Sequence, residues 1–217
     1  SQYPITWHVC QDCGMPKTFR TITEALAAAR PGDTINIWGE QTFAGLIGVH
    51  EYHETLVIDK PITLTCLNPE PSLGFPVIAG SFDDANQRAF ITILPDGAGT
   101  VISNLRIRGP QTGSITDCAS VSPFDCMMQK AGIRVEASGC RIENCRITRC
   151  MTGILVTGTG NAVTGCRLGD RWRDSRQGVW AVLEEWSASF QGHPIDHPGN
   201  GFGIVIMPKK RDRKSVV

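Results

Sequence analysis

Residues 139–147 read GCRIENCRI, and the chain repeats this pattern as GTVISNLRI at 99–107 and GNAVTGCRL at 160–168. In register, Gly99 matches Gly139 and Gly160, Ile102 matches Ile142 and Val163, and Ile107 matches Ile147 and Leu168. Asn104 stands with Asn144 and Gly165, Leu105 with Cys145 and Cys166, and Arg106 with Arg146 and Arg167. Upstream, Gly132-Ile133-Arg134-Val135 returns as Gly153-Ile154-Leu155-Val156, and the last two copies are 21 residues apart. A period of that length, built from short β-type segments without a helix, predicts a solenoid. One such coil cannot bury its own apolar face, so it stacks on the next. Equivalent residues then lie above one another at about 4.8 Å. Leucine-rich repeats have a similar period but need a leucine–asparagine framework that is missing here. A β-sandwich gives no reason for a register-matched repeat.

The register also bears on the cysteines. Cys140, Cys145 and Cys150 stand five apart and suggest a metal site or a disulfide knot. Yet Cys145 occupies the position of Leu105, so it reads as a small buried hydrophobe. Cys140 matches Thr100 and Asn161, which places it at a turn.

Outward from the repeat, DTINIW (33–38), TLVI (55–58), ITLTC (62–66), FITIL (90–94), NLRIR (104–108), GIRVE (132–136), RITRC (146–150), GILVT (153–157) and GFGIVIM (201–207) are further strand candidates. One helix precedes them. Phe19, Ile22, Leu26 and Ala29 have helical spacing, Thr21 with Glu24 fits a capping box, and Pro31-Gly32 stops it. The expected fold class is all-β, a single-stranded right-handed parallel β-helix with an N-terminal cap helix and roughly six or seven coils. The expected organisation is an N-terminal extension (1–18), the β-helix domain (19–208) with loop insertions at 109–130 and 169–201, and a charged tail (209–217). The basic run KKRDRK in that tail reads as a solvated terminus.

Composition bounds the partners. The 217 residues carry 21 Lys plus Arg against 21 Asp plus Glu, so net charge is zero and nothing indicates bulk attraction to nucleic acid. No apolar run reaches the roughly 18 residues that a membrane span needs. Nine cysteines form an odd set, which leans towards a reducing compartment, or a secreted or periplasmic one if a signal peptide has been removed.

A resemblance sharpens the fold. Pro31-Gly32-Asp33-Thr34-Ile35, followed by Tyr52-x-Glu54-x-Leu56-x-Ile58-x-Lys60-Pro61-Ile62-Thr63-Leu64, resembles the opening of the right-handed parallel β-helix superfamily. That superfamily comprises pectate lyase-like, carbohydrate-binding and sugar-hydrolase β-helix proteins. The likeness spans roughly residues 19–168 and implies the same fold, with the helix as cap. It does not choose a function, because the superfamily also holds accessory proteins and adaptor modules.

Pectin methylesterase chemistry fits poorly. LGDRWRDSR (168–176) resembles that family's L-G-R-P-W segment, and Gln129 precedes a strand as a family glutamine does. However, Asp170 replaces the expected Arg, Arg171 replaces the Pro, and the catalytic aspartate pair has no counterpart. Ester hydrolysis therefore lacks its nucleophile and acid. A lyase or epimerase needs a base for the proton α to a uronate carboxylate, and a cation for the charge that develops. Asp83, Asp84, Asp170 and Asp174 do not make the dense oxygen ladder that Ca²⁺ needs, so no cofactor is expected and Ca²⁺ stays unsupported. The arginine ladder Arg106, Arg146 and Arg167, with Arg171 and Trp172, is the candidate substrate-binding set, and Arg108 and Arg134 lie nearby. Glu136 and Glu143 are candidate counter-ions for it; a solvated, salt-bridged face is the plainer alternative. His193 and His197, with Asp196 between them, form the candidate catalytic cluster, although Pro194 and Pro198 favour a loop. His50 and His53 flank Glu51-Tyr52 near the start of the stack.

Cys10 and Cys13 form an isolated C-x-x-C that is open to a disulfide, a free pair or half a zinc site. Cys118 and Cys126 are the candidate disulfide under oxidising conditions. Trp172, Trp180 and Trp186 suit sugar stacking or a protein interface. Two functions follow. One is a β-helix that binds or processes an acidic polysaccharide, of lyase or epimerase type if an enzyme. The other is a non-catalytic scaffold or protein-interaction module within a larger assembly.

Overall fold

Three parallel sheets wind around one apolar interior. The computed structural model describes residues 3–10, 16–43, 46–49, 51–67, 69, 74–80, 89–109, 131–150, 152–168 and 202–206. Sheet A has seven strands: Ala162–Thr164, Arg141–Glu143, Val101–Ser103, Thr63–Thr65, Thr34–Ile37, Thr6–Val9 and Thr18–Phe19, in that spatial order. Sheet B stacks Phe202–Ile206, Thr152–Val156, Ala131–Val135, Ala89–Ile93 and Leu56–Ile58. Sheet C stacks Arg167–Leu168, Arg146–Thr148, Arg106–Arg108, Val77–Ala79 and Glu51–Tyr52. The chain passes from B to A to C and returns to B one rung further on, which is a parallel β-helix. An antiparallel hairpin, Glu40–Phe43 with Leu46–Val49, projects from an early coil.

The repeat in the sequence is a repeat of backbone need. The bend into sheet A uses Gly99, Gly139 and Gly160 at φ 85°, 67° and 67°. The bend from A to C uses Asn104, Asn144 and Gly165 at φ 59°, 50° and 63°. These are left-handed conformations, which Gly adopts freely and Asn tolerates best among the others. The asparagines also bond along the stack: Asn144 Nδ2 donates to Asn104 Oδ1 at 2.9 Å, and Asn104 Nδ2 donates to the Cys66 carbonyl at 3.1 Å.

Between the bends, side chains alternate. Ile35, Leu64, Ile102 and Ile142 form one inward ladder of sheet A, Ile78, Ile107 and Ile147 one of sheet C, and Ile91, Ile133 and Ile154 one of sheet B; all are buried. Each such burial contributes about 1.5–3 kcal/mol. One ladder changes size abruptly from one coil to the next. Phe90 is buried where the next coil has Gly132, whose Cβ would lie 2.6 Å from Ile147 Cγ2 and 3.5 Å from Cys150 Sγ. Small backbone there makes room for the Ile147 and Cys150 side chains.

Cys140, Cys145, Cys150 and Cys166 are all buried and unbridged. Burial, against a lowering pull from the Gly109 backbone, pushes the Cys150 thiol up to about 12, so it stays protonated at neutral pH. The three cysteines of residues 140–150 are thus rungs of the interior, and Cys140 joins its ladder at the turn, buried between Gly139 and strand Arg141–Glu143. Cys10 is disulfide-bonded, which closes the free-pair alternative for it.

The opening motif proves to be a clamp. The helix spans Ile22–Ala28, with Thr21 Oγ1 capping the Glu24 amide. Glu54 reaches its first turn from 31 residues away: Oε2 accepts from Ile22 N at 2.9 Å, and Oε1 accepts from Thr23 N at 2.8 Å and Thr23 Oγ1 at 2.6 Å. A carboxylate there meets the free amides and positive end of the helix. Asp33 accepts from Ile5 N, Arg30 N and the Trp7 indole. Those bonds tie down residues 3–10, which lay within the expected extension but instead add strand Thr6–Val9 to sheet A, paired with Thr34–Ile37. Burial pushes the Asp33 carboxyl up, but its three donors and the Arg30 charge outweigh burial and hold it below the ordinary value. Among the described residues, no helix is long and apolar enough to cross a membrane.

Candidate functional site

Ile107 and Ile147 point into the core, so their strand neighbours point out. The register then fixes what stands on the outer face of sheet C. Arg106 pairs with Arg146, and Arg146 with Arg167, so the three backbone positions stand one above the next at rungs about 4.8 Å apart. Below Arg106 the same row continues with Val77 and then Glu51. The neighbouring row holds Thr148, Arg108 and Ala79.

Glu51 closes the row with a small cluster. Its Oε1 accepts from Arg108 Nη2, and its Oε2 lies 3.5 Å from His53 Nε2. The His53 side chain is 66% exposed, so its ring faces solvent beside the arginines.

Glu136 and Glu143 do not neutralise the row. Glu143 pairs with Arg141 at 2.8 Å on the outside of sheet A, and Glu136 pairs with Arg134 at 3.4 Å on sheet B. Among the described residues, neither Arg106 nor Arg146 has an ion pair. Arg106 registers the crowding: burial first, then the Arg146 and Arg108 charges, pull its pKa below the ordinary value, against an opposing pull from Glu51. Like charges stacked this closely favour any anion laid across them.

No family model matches the chain, and no curated protein matches it. Among solved structures it is similar to a pectin methylesterase solved in complex with hexasaccharide VII. The identity is 16% and the TM-score 0.45, over 73% of this chain and 53% of that one. The chain therefore spans about half the length of that protein.

Of the residues singled out in the sequence, Arg106, Arg146 and Arg167 come together as one row. His193, His197, Arg171 and Trp172 lie outside the described residues, as do Gln129, Asp196 and residues 110–130 of the 109–130 insertion. Glu51 was not singled out as a functional residue. Its signal was weak, since it lies 57 residues from Arg108 and only the stacking register brings the two together. Among the described residues, no group of three or more His, Cys, Asp or Glu could hold a metal ion.

Proposed function

We propose that the chain binds an acidic polysaccharide along the outer face of sheet C. The observation that carries this reading is the row Arg106–Arg146–Arg167, with no ion pair at its first two members among the described residues. A guanidinium presents a planar fork to a carboxylate or sulfate, and a row of them on a fixed pitch suits a chain whose charges also repeat. In such a pose, carboxylates of successive acidic sugars lie over successive rungs. Processing by a lyase or epimerase route would add one step, removal of the proton α to a bound uronate carboxylate. Among the described residues, His53 is the titratable side chain best placed to accept it, with Glu51 beside the ring at 3.5 Å. Arg106 and Arg146 would then stabilise the charge left on the carboxylate.

Binding and chemistry separate in one experiment. The protein is titrated with oligomers of pectate, alginate and a sulfated glycosaminoglycan while absorbance of unsaturated uronates is followed. Binding of at least one, weakened by salt, is the expected result, and new absorbance would establish the lyase step. Binding without absorbance, and without epimerised product, would leave a carbohydrate-binding module. Failure to bind any polyanion at low salt would overturn the reading and favour a scaffold for a protein partner.

A further inference from the structure

We propose that Cys145 and Cys166 form a redox-active dithiol that closes into a disulfide between two consecutive coils. The pairing of Arg146 with Arg167 puts the preceding cysteines on adjacent rungs, and the Arg167 amide donates to the Cys145 carbonyl at 2.8 Å. Parallel rungs about 4.8 Å apart fall within the Cα separation of about 4.4–6.8 Å that a disulfide accepts. Both side chains turn inward, as Leu105 does one coil earlier; the Cys145 thiol donates to the Glu143 carbonyl at 3.4 Å, and the Cys166 thiol donates to the Ile142 and Thr164 carbonyls at 3.6 Å. Both are unbridged here. Cys140, by contrast, stands between Thr100 and Asn161, so its ladder offers no second thiol.

The two sulfurs are not equivalent. Cys145 is 1% exposed and Cys166 6%, and beside Cys166 the inward-facing Val163 and Leu168 are only partly buried. A reagent therefore meets Cys166 first. The neighbouring Cys145 thiol holds the Cys166 pKa below the ordinary thiol value, whereas the neighbouring Cys166 and burial push that of Cys145 up. A low-molecular-weight disulfide is the oxidant. Cys166 releases its proton to solvent, and its thiolate attacks one reagent sulfur. The reagent S–S bond breaks, one reagent thiolate leaves, and a mixed disulfide remains. Cys145 then loses its proton and attacks Cys166 Sγ, expelling the second reagent thiolate. Two S–H bonds become one S–S bond, and the reagent is reduced to two thiols. The bridge immediately precedes Arg146 and Arg167, so it ties together the two rungs at the outer end of the arginine row.

The test uses the full chain and does not depend on polysaccharide binding. Folded protein is incubated with oxidised glutathione, quenched in denaturant with an alkylating agent, and mapped with trypsin. The expected result is a linked peptide pair holding Cys145 and Cys166, lighter by two hydrogens, with neither residue alkylated. In Cys145→Ser, the expected product is glutathione retained on Cys166, because the resolving thiol is gone. Wild-type protein in which both residues are alkylated, or in which Cys166 keeps glutathione while Cys145 is alkylated, would overturn the proposal.

Discussion

Sheets A and C are built from the same coils, yet their outer faces treat charge in opposite ways. On sheet A, Arg141 finds Glu143 two residues along at 2.8 Å, and Thr65 and Ser103 bond across rungs at 2.8 Å. Every outward group quoted there has a neighbour of complementary chemistry. On sheet C, Arg106 and Arg146 face one another across a rung, with no ion pair among the described residues to offset the repulsion. The fold accepts either face, since Thr63, Val101, Arg141 and Ala162 share one row of sheet A. Stacked arginines are therefore not a requirement of the solenoid.

The difference can be tested by removing charge from each face in turn. Arg106→Gln with Arg146→Gln should cost the most. Hydrogen bonds to charged groups contribute about 1.5–3 kcal/mol each, so losing two should weaken oligouronate binding about a hundredfold or more by calorimetric titration. Arg141→Gln should leave that affinity within about twofold. Comparable losses from both faces would erase the distinction.

A second substitution strikes the frame that both faces share. Asn144→Ala removes the bond to Asn104 and puts alanine at φ 50° in the bend between sheets A and C. Urea unfolding should show a loss of about 1–3 kcal/mol. Asn144→Gly should recover part of it, because glycine accepts the bend but not the bond.

Acid should loosen the N-terminal end before it touches the arginine row. The folded Asp33 carboxyl titrates below its ordinary 3.8, so its contribution is fully present above that value. It is lost as pH falls through the lower folded value. Thermal melts should therefore show a drop beginning below pH 3.8 that Asp33→Asn lacks. An unchanged pH profile in the variant would mean that Asp33 does not hold strand Thr6–Val9.

The smallest effects have opposite signs. Arg141→Gln breaks an exposed pair and should destabilise by at most about 1 kcal/mol. Arg146→Gln relieves repulsion and should be neutral or stabilising by a few tenths of a kcal/mol. Thermal melts at low salt would resolve the two, and added salt should narrow the gap.

Much of this was legible in residues that repeat. Gly99, Gly139 and Gly160 recur in register, and Leu105 aligned with Cys145 identifies a core position. Both follow from a local rule, backbone handedness or inward alternation, applied at a fixed period. The strand at Thr6–Val9 had a signal too, since Ile5, Trp7 and Val9 alternate, although the segment read as an extension. Charge pairing was harder. Glu143 stands two residues from Arg141 on one face of one strand, which period-two reasoning exposes. Glu51 meets Arg108 only because a hairpin and uneven connections happen to bring the two rungs together, and no local rule gives that length. Helix clamping by Glu54 was hidden for the same reason: the motif marked the fold without revealing what the glutamate does.

The central claim is that the sheet C row, and not the sheet A face, meets a polyanion. The most direct measurement is an NMR titration of arginine side-chain Nε–Hε signals with a short oligouronate. Signals of Arg106, Arg146 and Arg167 should shift together and saturate at one concentration, while Arg141 stays in place. Uniform small shifts at every arginine, or movement of Arg141 alone, would contradict it.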